Sequence, residues 1–316
     1  MQLRALKLRH LRYFATIVER GSFSRAATEL HVAQPALSQQ MAELEEMLGA
    51  TLLHRSARGA RATSAGEALY AAAVDILRRM EQLPGIVLSA GGEPEGTVTL
   101  GMSSTLAAAL AGPFMEASRK LLPKVSLRFS SHDSASLRDR VAGKRLDLGV
   151  VYEAEPVGGF ARLPLFRQRL FWIQRRKTPR SPASASLRTI IQQPLVLPSH
   201  PNLSRIMLDK AFAAEHLSPD ISAEMDVFSS ILSAVHSGLG NTILPKGDFS
   251  DVPGHTRLFA TPIDPPLCLT VSLISHDDGA PTRATEGVRE CFIAFLREYL
   301  DSHAIPGAEW IADSGP

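Results

Sequence analysis

Between Gly21 and Gly49 apolar residues recur at helical spacing in two short stretches. In the second stretch, large apolar residues follow one another at intervals that place them on one face of a helix: Leu37, Met41, Leu44 and Leu48. Pro35 suits the first turn of that helix, because its missing N–H would find no partner there. The first stretch, residues 22–30, predicts a shorter helix, and residues 8–20 predict another that packs beneath the pair.

The face opposite the apolar stripe of the second helix is polar but uncharged. It carries short or amide-bearing side chains: Gln34, Ala36, Ser38, Gln39 and Ala42. Two tightly joined helices, the second with such a face, are typical of a helix-turn-helix whose second helix enters the DNA major groove. We expect Gln34, Ser38 and Gln39 to read bases there, and Pro35 and Ala36 to contact thymine methyl groups. An ordinary helical hairpin in a protein core is the alternative, because such motif matches include false positives.

A short basic hairpin is predicted directly after these helices. Residues 51–55 form one extended run, Gly59 supplies a turn, and residues 61–63 return. Arginines lie on or beside its tip: Arg55, Arg58 and Arg61. Arginine there suits phosphate or minor-groove contacts, so the hairpin is predicted to be the wing of a winged helix-turn-helix. A solvated basic loop is the alternative.

The next segment predicts a long helix with a seam for a second helix. Ser64 and Glu67 have the spacing of a capping box at its start. Apolar residues then alternate steps of four and three: Leu69, Ala73, Ile76, Met80, Leu83 and Val87. This period of about 3.5 residues is typical of paired helices, although a helix lying on its own domain shows a similar pattern. Pro84 should end or kink the helix, because it removes a hydrogen bond, and residues 90–96 should form a flexible joint.

From Thr97 onward, short apolar strands alternate with helices. The first set predicts strands at 97–102, 125–129 and 148–151, with helices at 105–121 and 136–142. The second set, after Pro164, predicts strands at 170–173, 195–197 and 242–244, with helices at 204–214 and 228–237. Short buried strands between helices favour a mostly parallel sheet. A last strand at 268–274 and a helix at 284–299 should return to the first set, and the tail after Ser302 should be loose.

Composition indicates a globular protein with an unevenly distributed charge. The chain has 316 residues, of which 45% are hydrophobic and 21% charged, and its formal net charge is only +2. Residues 1–66 hold 9 Lys+Arg against 5 Asp+Glu, and the remainder holds 25 against 27. A basic N-terminal module on a slightly acidic body is what a DNA-binding head predicts. No segment has the pattern of a signal peptide or a bilayer span, and Cys268 and Cys291 make no disulfide framework, so a cytoplasmic location is expected.

Candidate ligand residues follow from where the strands end. In open α/β sheets, ligands bind at the carboxyl ends of strands, where helix N-termini present free N–H groups. This rule selects loops that contain Ser103, Ser104, Thr105, Ser134, Ser199, His200 and Phe228. Hydroxyl groups and helix N-termini without a metal cluster favour a small anion, with a carboxylate as the expected class. The alternative is that these serines and threonines are ordinary N-caps. The nucleophile-elbow, Walker A, H-E-x-x-H and C-x-x-C motifs are missing from the sequence, so no enzyme activity, cofactor or metal is predicted.

The stretch AATELHVAQPALSQQMAELEEMLGATLLHR, followed by RGARATSAGE, resembles the N-terminal domain of LysR-type transcriptional regulators. A looser similarity continues to about residue 300. The resemblance implies a winged helix-turn-helix over residues 1–66 and a linker and dimerisation helix over 67–92. It further implies a two-lobed α/β effector domain, similar to periplasmic binding proteins, over 93–316. Lobe I would comprise about 93–165 and 268–300, and lobe II about 166–267. In related regulators the residues that match Ser104, Ser134, Ser199 and Phe228 line the effector cleft.

The resemblance also implies partners for the chain. These are double-stranded operator DNA, a small effector, further copies of the chain in a dimer or tetramer, and RNA polymerase, with no membrane. The runs AQPALSQQ and AGEALYAAAVDILRR are most similar to the nitrogen assimilation control regulators. Members of the family differ in whether they need an effector, so an effector-independent regulator is an alternative. A small-molecule-binding protein without DNA activity is another.

Overall fold

The computed structural model describes residues 6–56, 59–88, 92–153, 155–156, 158–175, 182–246, 258–277, 281–303 and 305–311. The chain forms two compact units, Met1–Val87 with Gly143–Arg145, and Leu88–Ala142 with Leu146–Pro316. Over the ranges described, no helix combines the length and the apolar content needed to cross a membrane.

The N-terminal unit contains the predicted helices and hairpin. Its elements are α1 (Leu8–Arg20), α2 (Phe23–Leu30), α3 (Gln34–Leu48), β1 (Leu53–Ser56), β2 (Gly59–Ala62) and α4 (Ser64–Leu88). The apolar stripe of α3 is confirmed, because Leu37, Met41 and Leu44 are buried in one core with Phe14 and Ile17 of α1. Pro35 lies in the first turn of α3, as predicted.

One carboxylate on α3 fixes the hairpin. Glu45 Oε1 accepts hydrogen bonds from the backbone N–H groups of Leu52 (2.7 Å) and Leu53 (3.1 Å). Its Oε2 pairs with Arg55 Nη2 at 3.4 Å, and the guanidinium of Arg55 lies 4.8 Å from the centre of the Phe23 ring. Leu52 and Leu53 are buried, so their N–H groups depend on this carboxylate for a partner.

The start of α4 differs from the predicted capping box. Thr63 Oγ1 accepts from Gly66 N at 3.0 Å and donates to the carbonyl of Thr51 at 2.7 Å. Ser64 is the first helical residue, so Thr63 rather than Ser64 occupies the capping position. The prediction was wrong by one residue, because both positions carry a hydroxyl group and the sequence does not distinguish them. A Cβ on Gly66 would lie 2.1 Å from the carbonyl oxygen of Leu52, so only glycine fits this turn.

Of the two predicted effects of Pro84, the end of the helix is wrong, because α4 continues through Pro84 to Leu88, and the kink stays a prediction. A proline inside a helix removes one hydrogen bond, and the remaining bonds can still hold the helix. Towards the end of α4 the seam faces solvent, with exposed fractions from 42% at Ile76 to 70% at Val87. Such exposure does not fit the alternative in which this part of α4 lies on its own domain.

The second unit is built around an eight-stranded sheet. Its elements are β3 (Gly96–Ser103), α5 (Ser104–Leu121), β4 (Val125–His132), α6 (Ser134–Ala142), β5 (Leu148–Glu153), β6 (Phe160–Arg175), α7 (Leu187–Ile190), β7 (Leu195–Pro198), α8 (Leu203–Ala214), β8 (Ile221–Met225), α9 (Phe228–Ser237), β9 (Thr242–Pro245), β10 (Leu258–Pro262), β11 (Cys268–His276), α10 (Arg283–His303) and β12 (Ala308–Trp310). The strand order is β10-β6-β11-β5-β3-β4, with β9 and β12 also paired to β6, and β7 and β8 form a separate pair.

The sheet is mixed, so the expectation of a mostly parallel sheet was wrong. β3 runs parallel to β4 and β5, and β7 is parallel to β8. The pairs that β11 makes with β5 and β6, and that β9, β10 and β12 make with β6, are antiparallel. Four of these five antiparallel pairs involve β6, a 16-residue strand that pairs with β9, β10, β11 and β12. The lobe boundary predicted near residue 165 falls inside this strand.

The C-terminal part of the chain returns to the first lobe, as predicted. β11 pairs with β5 from Thr270 opposite Glu153 to Ser275 opposite Leu148, and Phe292 of α10 packs edge-on against Phe114 of α5 with ring centres 4.9 Å apart. The tail is more ordered than predicted, since β12 pairs with β6 and the guanidinium of Arg297 lies 5.1 Å from the ring centre of Trp310. A short strand of three residues carries too little pattern to be predicted.

The role of Glu45 is tested by Glu45→Ala. Without the carboxylate, two buried backbone N–H groups lose their acceptor, and we expect the hairpin to lose about 2 kcal/mol of local stability. This corresponds to amide exchange at Leu52 and Leu53 that is roughly 30-fold faster, measured by native-state hydrogen exchange on the full chain. Glu46→Ala, an exposed neighbour on the same helix, is the matched control. Equal exchange rates in the two variants would contradict this role.

Candidate functional site

The predicted reading face of α3 is open to solvent. Gln34, Pro35, Ala36 and Gln39 are exposed, and Ser38 is half-buried. Gln34 Nε2 donates to Ser38 Oγ at 3.1 Å, which joins two of the predicted base contacts into one polar surface. The helix thus presents hydroxyl and amide groups beside the small apolar surface of Pro35 and Ala36.

Glu43 adds a feature that the sequence prediction missed. Its Oε1 accepts from Gln39 Nε2 at 3.2 Å and its Oε2 accepts from Gln40 Nε2 at 2.7 Å. Gln39 keeps a second N–H and its carbonyl oxygen for other partners, and these are the two groups that a glutamine offers to the edge of adenine. The i, i+4 spacing of Gln39 and Glu43 was the signal that could have revealed this contact.

The two wing arginines that the structure describes, Arg55 and Arg61, have different surroundings. Arg55 is held by Glu45 and Phe23, and 44% of its side chain remains exposed. Arg61 is exposed on β2, opposite His54 in the strand pairing. Arg58 lies outside the described residues. The structure therefore gives Arg55 a contact within the protein and leaves Arg61 at the surface.

A cavity of about 200 Å³ lies in the second unit, where strands of both lobes end and helices begin. Five of the seven predicted effector residues line it: Ser103, Ser104, Thr105, Ser134 and Phe228. The other lining residues are Asp133, Ala135, Arg138, Tyr152, Pro198, Pro201, Asn202, Leu203, Ser204, Asp226, Ile231, Leu244 and Pro245. Tyr152 is the second-to-last residue of β5, so the carboxyl-end rule could have found it. Arg138 lies one helical turn after Ser134, and the rule does not reach that far.

Ser199 and His200 do not line this cavity. The N–H of Ser199 donates to the carbonyl of Met225 at 3.3 Å, and its own carbonyl accepts from Asn202 N at 3.0 Å. His200 Nε2 lies 3.0 Å from Asp209 Oδ2, with 55% of the side chain exposed. The loop between β7 and α8 does border the cavity, but through Pro198, Pro201 and Asn202.

Hydroxyl groups form one wall of the cavity, and those of Ser103, Ser134 and Tyr152 belong to buried residues. Ser103 Oγ and Ser134 Oγ are 2.9 Å apart, and Ser134 Oγ also accepts from the N–H of Tyr152 at 3.1 Å. Thr105 Oγ1 donates to the hydroxyl of Tyr152 at 3.1 Å, and burial raises the pKa of Tyr152 far above its ordinary value. Tyr152 is therefore a neutral hydroxyl group whose own proton is available for donation.

Ser104 is the most accessible hydroxyl group of this wall. Its Oγ accepts a hydrogen bond from Ser131 Oγ at 3.2 Å, and the residue is exposed as the first residue of α5. Because the oxygen is used as an acceptor in that bond, its own O–H can donate to a ligand.

The helix N-termini at the cavity differ in how their N–H groups are satisfied. Asp133 Oδ1 accepts from the N–H groups of Ala135 (3.0 Å) and Ser136 (2.9 Å), and Asn202 accepts from Ser204 N at 2.9 Å. These bonds cap α6 and α8. The capping residues of α5 and α9, Ser103 and Val227, make no such side-chain bond. An anion in the cavity would therefore find uncapped N–H groups at α5 and α9.

Both parts of the chain match models of one protein family. Residues 8–67 match the bacterial regulatory helix-turn-helix protein of the lysR family, and residues 91–301 match the LysR substrate binding domain. The chain is a LysR-type transcriptional regulator. The predicted fold class, a winged helix-turn-helix with a two-lobed α/β effector domain, is confirmed with this assignment.

Relatives and solved structures agree with the family. The chain is 33% identical over 293 residues to the nitrogen assimilation regulatory protein nac of Klebsiella aerogenes, covering 92% of this chain and 95% of the relative. The protein of the same name from Escherichia coli (strain K12) is 33% identical over 295 residues, with coverage of 92% and 95%. The fold is similar to a full-length OxyR variant from Pseudomonas aeruginosa, with a TM-score of 0.68, 22% identity and coverage of 92% and 95%. It is also similar to full-length CbnR complexed with its target DNA, with a TM-score of 0.65, 19% identity and coverage of 90% and 100%.

The cap of α6 generates a prediction for pH dependence. Burial raises the pKa of Asp133, but hydrogen bonds from Ser136 and Ala135 outweigh it and hold the pKa below its ordinary value of 3.8. A lowered folded-state pKa stabilises the protein above the unfolded pKa, and this stabilisation is lost as the pH falls through the folded pKa. Asp133→Ala should therefore lower the free energy of unfolding by about 1 kcal/mol at pH 7.

The difference from wild type should shrink as the pH falls below about 4, followed by chemical denaturation across a pH series. Asp139→Ala, an exposed position on the same helix, is the control. A destabilisation by Asp133→Ala that stayed constant down to about pH 2 would show that its charge is not the stabilising feature.

Proposed function

We propose that this regulator reads operator DNA through α3 and contacts the DNA backbone through its wing. It binds a small carboxylate effector in the cavity and acts as a dimer paired along α4. The main support for DNA binding is that α3 has an uncharged, solvent-exposed face, while its opposite face is buried. The main support for effector binding is the cavity at the helix N-termini.

Contacts on α3 support direct base reading. A glutamine that offers both a donor and an acceptor suits adenine, and the surface of Pro35 and Ala36 suits the methyl group of thymine. Arg61 contributes positive charge on the wing, where a phosphate contact would add affinity without sequence preference. Arg58 remains a predicted DNA contact on sequence grounds.

A carboxylate effector is supported by the donors in the cavity. The N–H groups at the start of α5 and α9 have no side-chain cap, and Ser104 has a hydroxyl proton to donate. Arg138 supplies a positive charge in the same lining. A carboxylate accepts from several such donors at once, which gives charge-assisted hydrogen bonds. The volume of the cavity suits a ligand of only a few heavy atoms.

The exposed seam of α4 supports a dimer. Ile76, Met80, Leu83 and Val87 share one face and are among the most exposed large apolar residues of the described chain. A contiguous apolar strip on a long helix is costly in water and is covered when two such helices pair. Two heads on one operator then read half-sites related by symmetry. A tetramer of two dimers and a contact with RNA polymerase remain predictions from the family.

The DNA proposal predicts different effects for a glutamine variant and an arginine variant. Gln39→Ala should cost about 1–3 kcal/mol on an operator fragment and relax the preference at one position in each half-site. Arg61→Ala should weaken binding to all sequences alike and flatten the dependence on salt. Fluorescence anisotropy with the operator, single-base variants and several salt concentrations separates the two effects. If both variants bound every fragment as wild type does, α3 would not be the reading helix.

The dimer proposal predicts that a charge in the seam separates the chains. Ile76→Glu places a carboxylate where two apolar faces meet, so we expect a large loss of dimer at micromolar concentration in sedimentation velocity. Ala71→Glu is the control, because this exposed position lies on the face of α4 opposite the seam. A wild-type protein that sediments as a monomer, or equal masses for both variants, would refute pairing along α4.

A further inference from the structure

The effector cavity contains more negative than positive side chains. Asp133 and Asp226 carry carboxylates in its lining, whereas Arg138 is the single cationic side chain among the lining residues described. A ligand that is only a carboxylate would approach two groups of its own sign. The donors at α5 and α9 nevertheless favour an anionic group, so the cavity offers sites for both signs.

Asp226 is the side chain best placed to accept a positive group. It precedes the capping position of α9, yet α9 receives no side-chain cap, so its carboxylate does not satisfy the N–H groups of its own helix. Within the described part of the chain the side chain of Asp226 makes no hydrogen bond or ion pair, and the residue is exposed. A cationic group that entered the cavity would find this carboxylate accessible and not engaged by another side chain.

Asp133 adds a second carboxylate from the other lobe. Its oxygens accept hydrogen bonds from Ala135 and Ser136, including the hydroxyl of Ser136, and these bonds hold it in place. The same bonds favour its charged form and keep its pKa low. Asp133 thus keeps its negative charge at neutral pH without any cationic partner among the residues described.

We propose that the effector is a small zwitterion of the α-amino-acid class, with its carboxylate at the start of α5 and its ammonium group facing Asp226 and Asp133. This inference rests on the proposed function, because it names the chemistry of the ligand in that same cavity. A ligand with only a carboxylate leaves the negative charges of the two aspartates without a cationic partner. A ligand with only an ammonium group leaves Ser104, the uncapped N–H groups and Arg138 unmatched.

The test compares pairs of ligands that differ only in the amino group. Isothermal titration calorimetry on the full-length protein would use L-alanine against propionate, L-aspartate against succinate and L-glutamate against glutarate, with ethylammonium as the cation alone. We expect at least one amino acid to bind about tenfold or more tightly than its partner without nitrogen, which is the effect of one charge-assisted hydrogen bond. Ethylammonium should bind far more weakly than the amino acid.

Two variants separate this inference from the proposed function. Asp226→Asn should remove most of the preference for the amino acid, while Asp220→Asn, exposed and outside the cavity lining, should leave it unchanged. Ser104→Ala should weaken amino acids and plain carboxylates alike. Plain carboxylates that bind as well as amino acids and depend on Ser104 would overturn the zwitterion and keep the carboxylate effector. A preference unaffected by Asp226→Asn would also overturn the assignment. No binding across the panel, with normal operator binding, would overturn both and favour an effector-independent regulator.

Discussion

Backbone N–H groups that secondary structure leaves without partners govern both functional regions of this protein. The first N–H groups of every helix lack an acceptor within the helix, and strand ends have the same need. In the DNA-binding unit Glu45 accepts hydrogen bonds from backbone N–H groups of the wing and so holds it in place. Thr63 accepts from an N–H group in the first turn of α4 and so caps this helix. In the effector domain Asp133 and Asn202 meet it at α6 and α8. At the starts of α5 and α9, where no side chain caps the helix, a ligand can accept the hydrogen bonds of these N–H groups instead.

Much of the fold follows from apolar periodicity. The stripe of α3 and the limits of α9 were predictable, because each helix buries one face at regular spacing and ends at a glycine, Gly49 or Gly238, in the left-handed region. The antiparallel partners of β6 were not predictable from the alternation of strands and helices. Their order depends on contacts between residues far apart in sequence, such as those of β12 with β6, and short strands carry no pattern that reveals them.

The candidate site was predictable as a set of loops, but not residue by residue. The carboxyl-end rule reached Ser103, Ser104, Thr105, Ser134 and Phe228, because these residues begin helices or end strands. Ser199 and His200 lie in a selected loop but do not line the cavity, since the path of the loop between β7 and α8 decides which side chain faces it. The sequence does not show that charged residues such as Asp226 and Arg138 line the same cavity, because they come together only in the folded protein. A ligand there can shift DNA binding only as far as it prefers one arrangement of the protein over another, typically by about 1–3 kcal/mol.

In the proposed function α3, presented twice by a dimer, reads a defined DNA sequence. Its most direct test is to bind the wild-type protein to fragments of its own genome at about 0.15–0.2 M salt, which suppresses non-specific binding, and to sequence the fragments retained. We expect a shared sequence with two symmetry-related half-sites, spaced by one or more helical turns of about 10 base pairs. Retained fragments without any common sequence, or with a single unrepeated half-site, would contradict it.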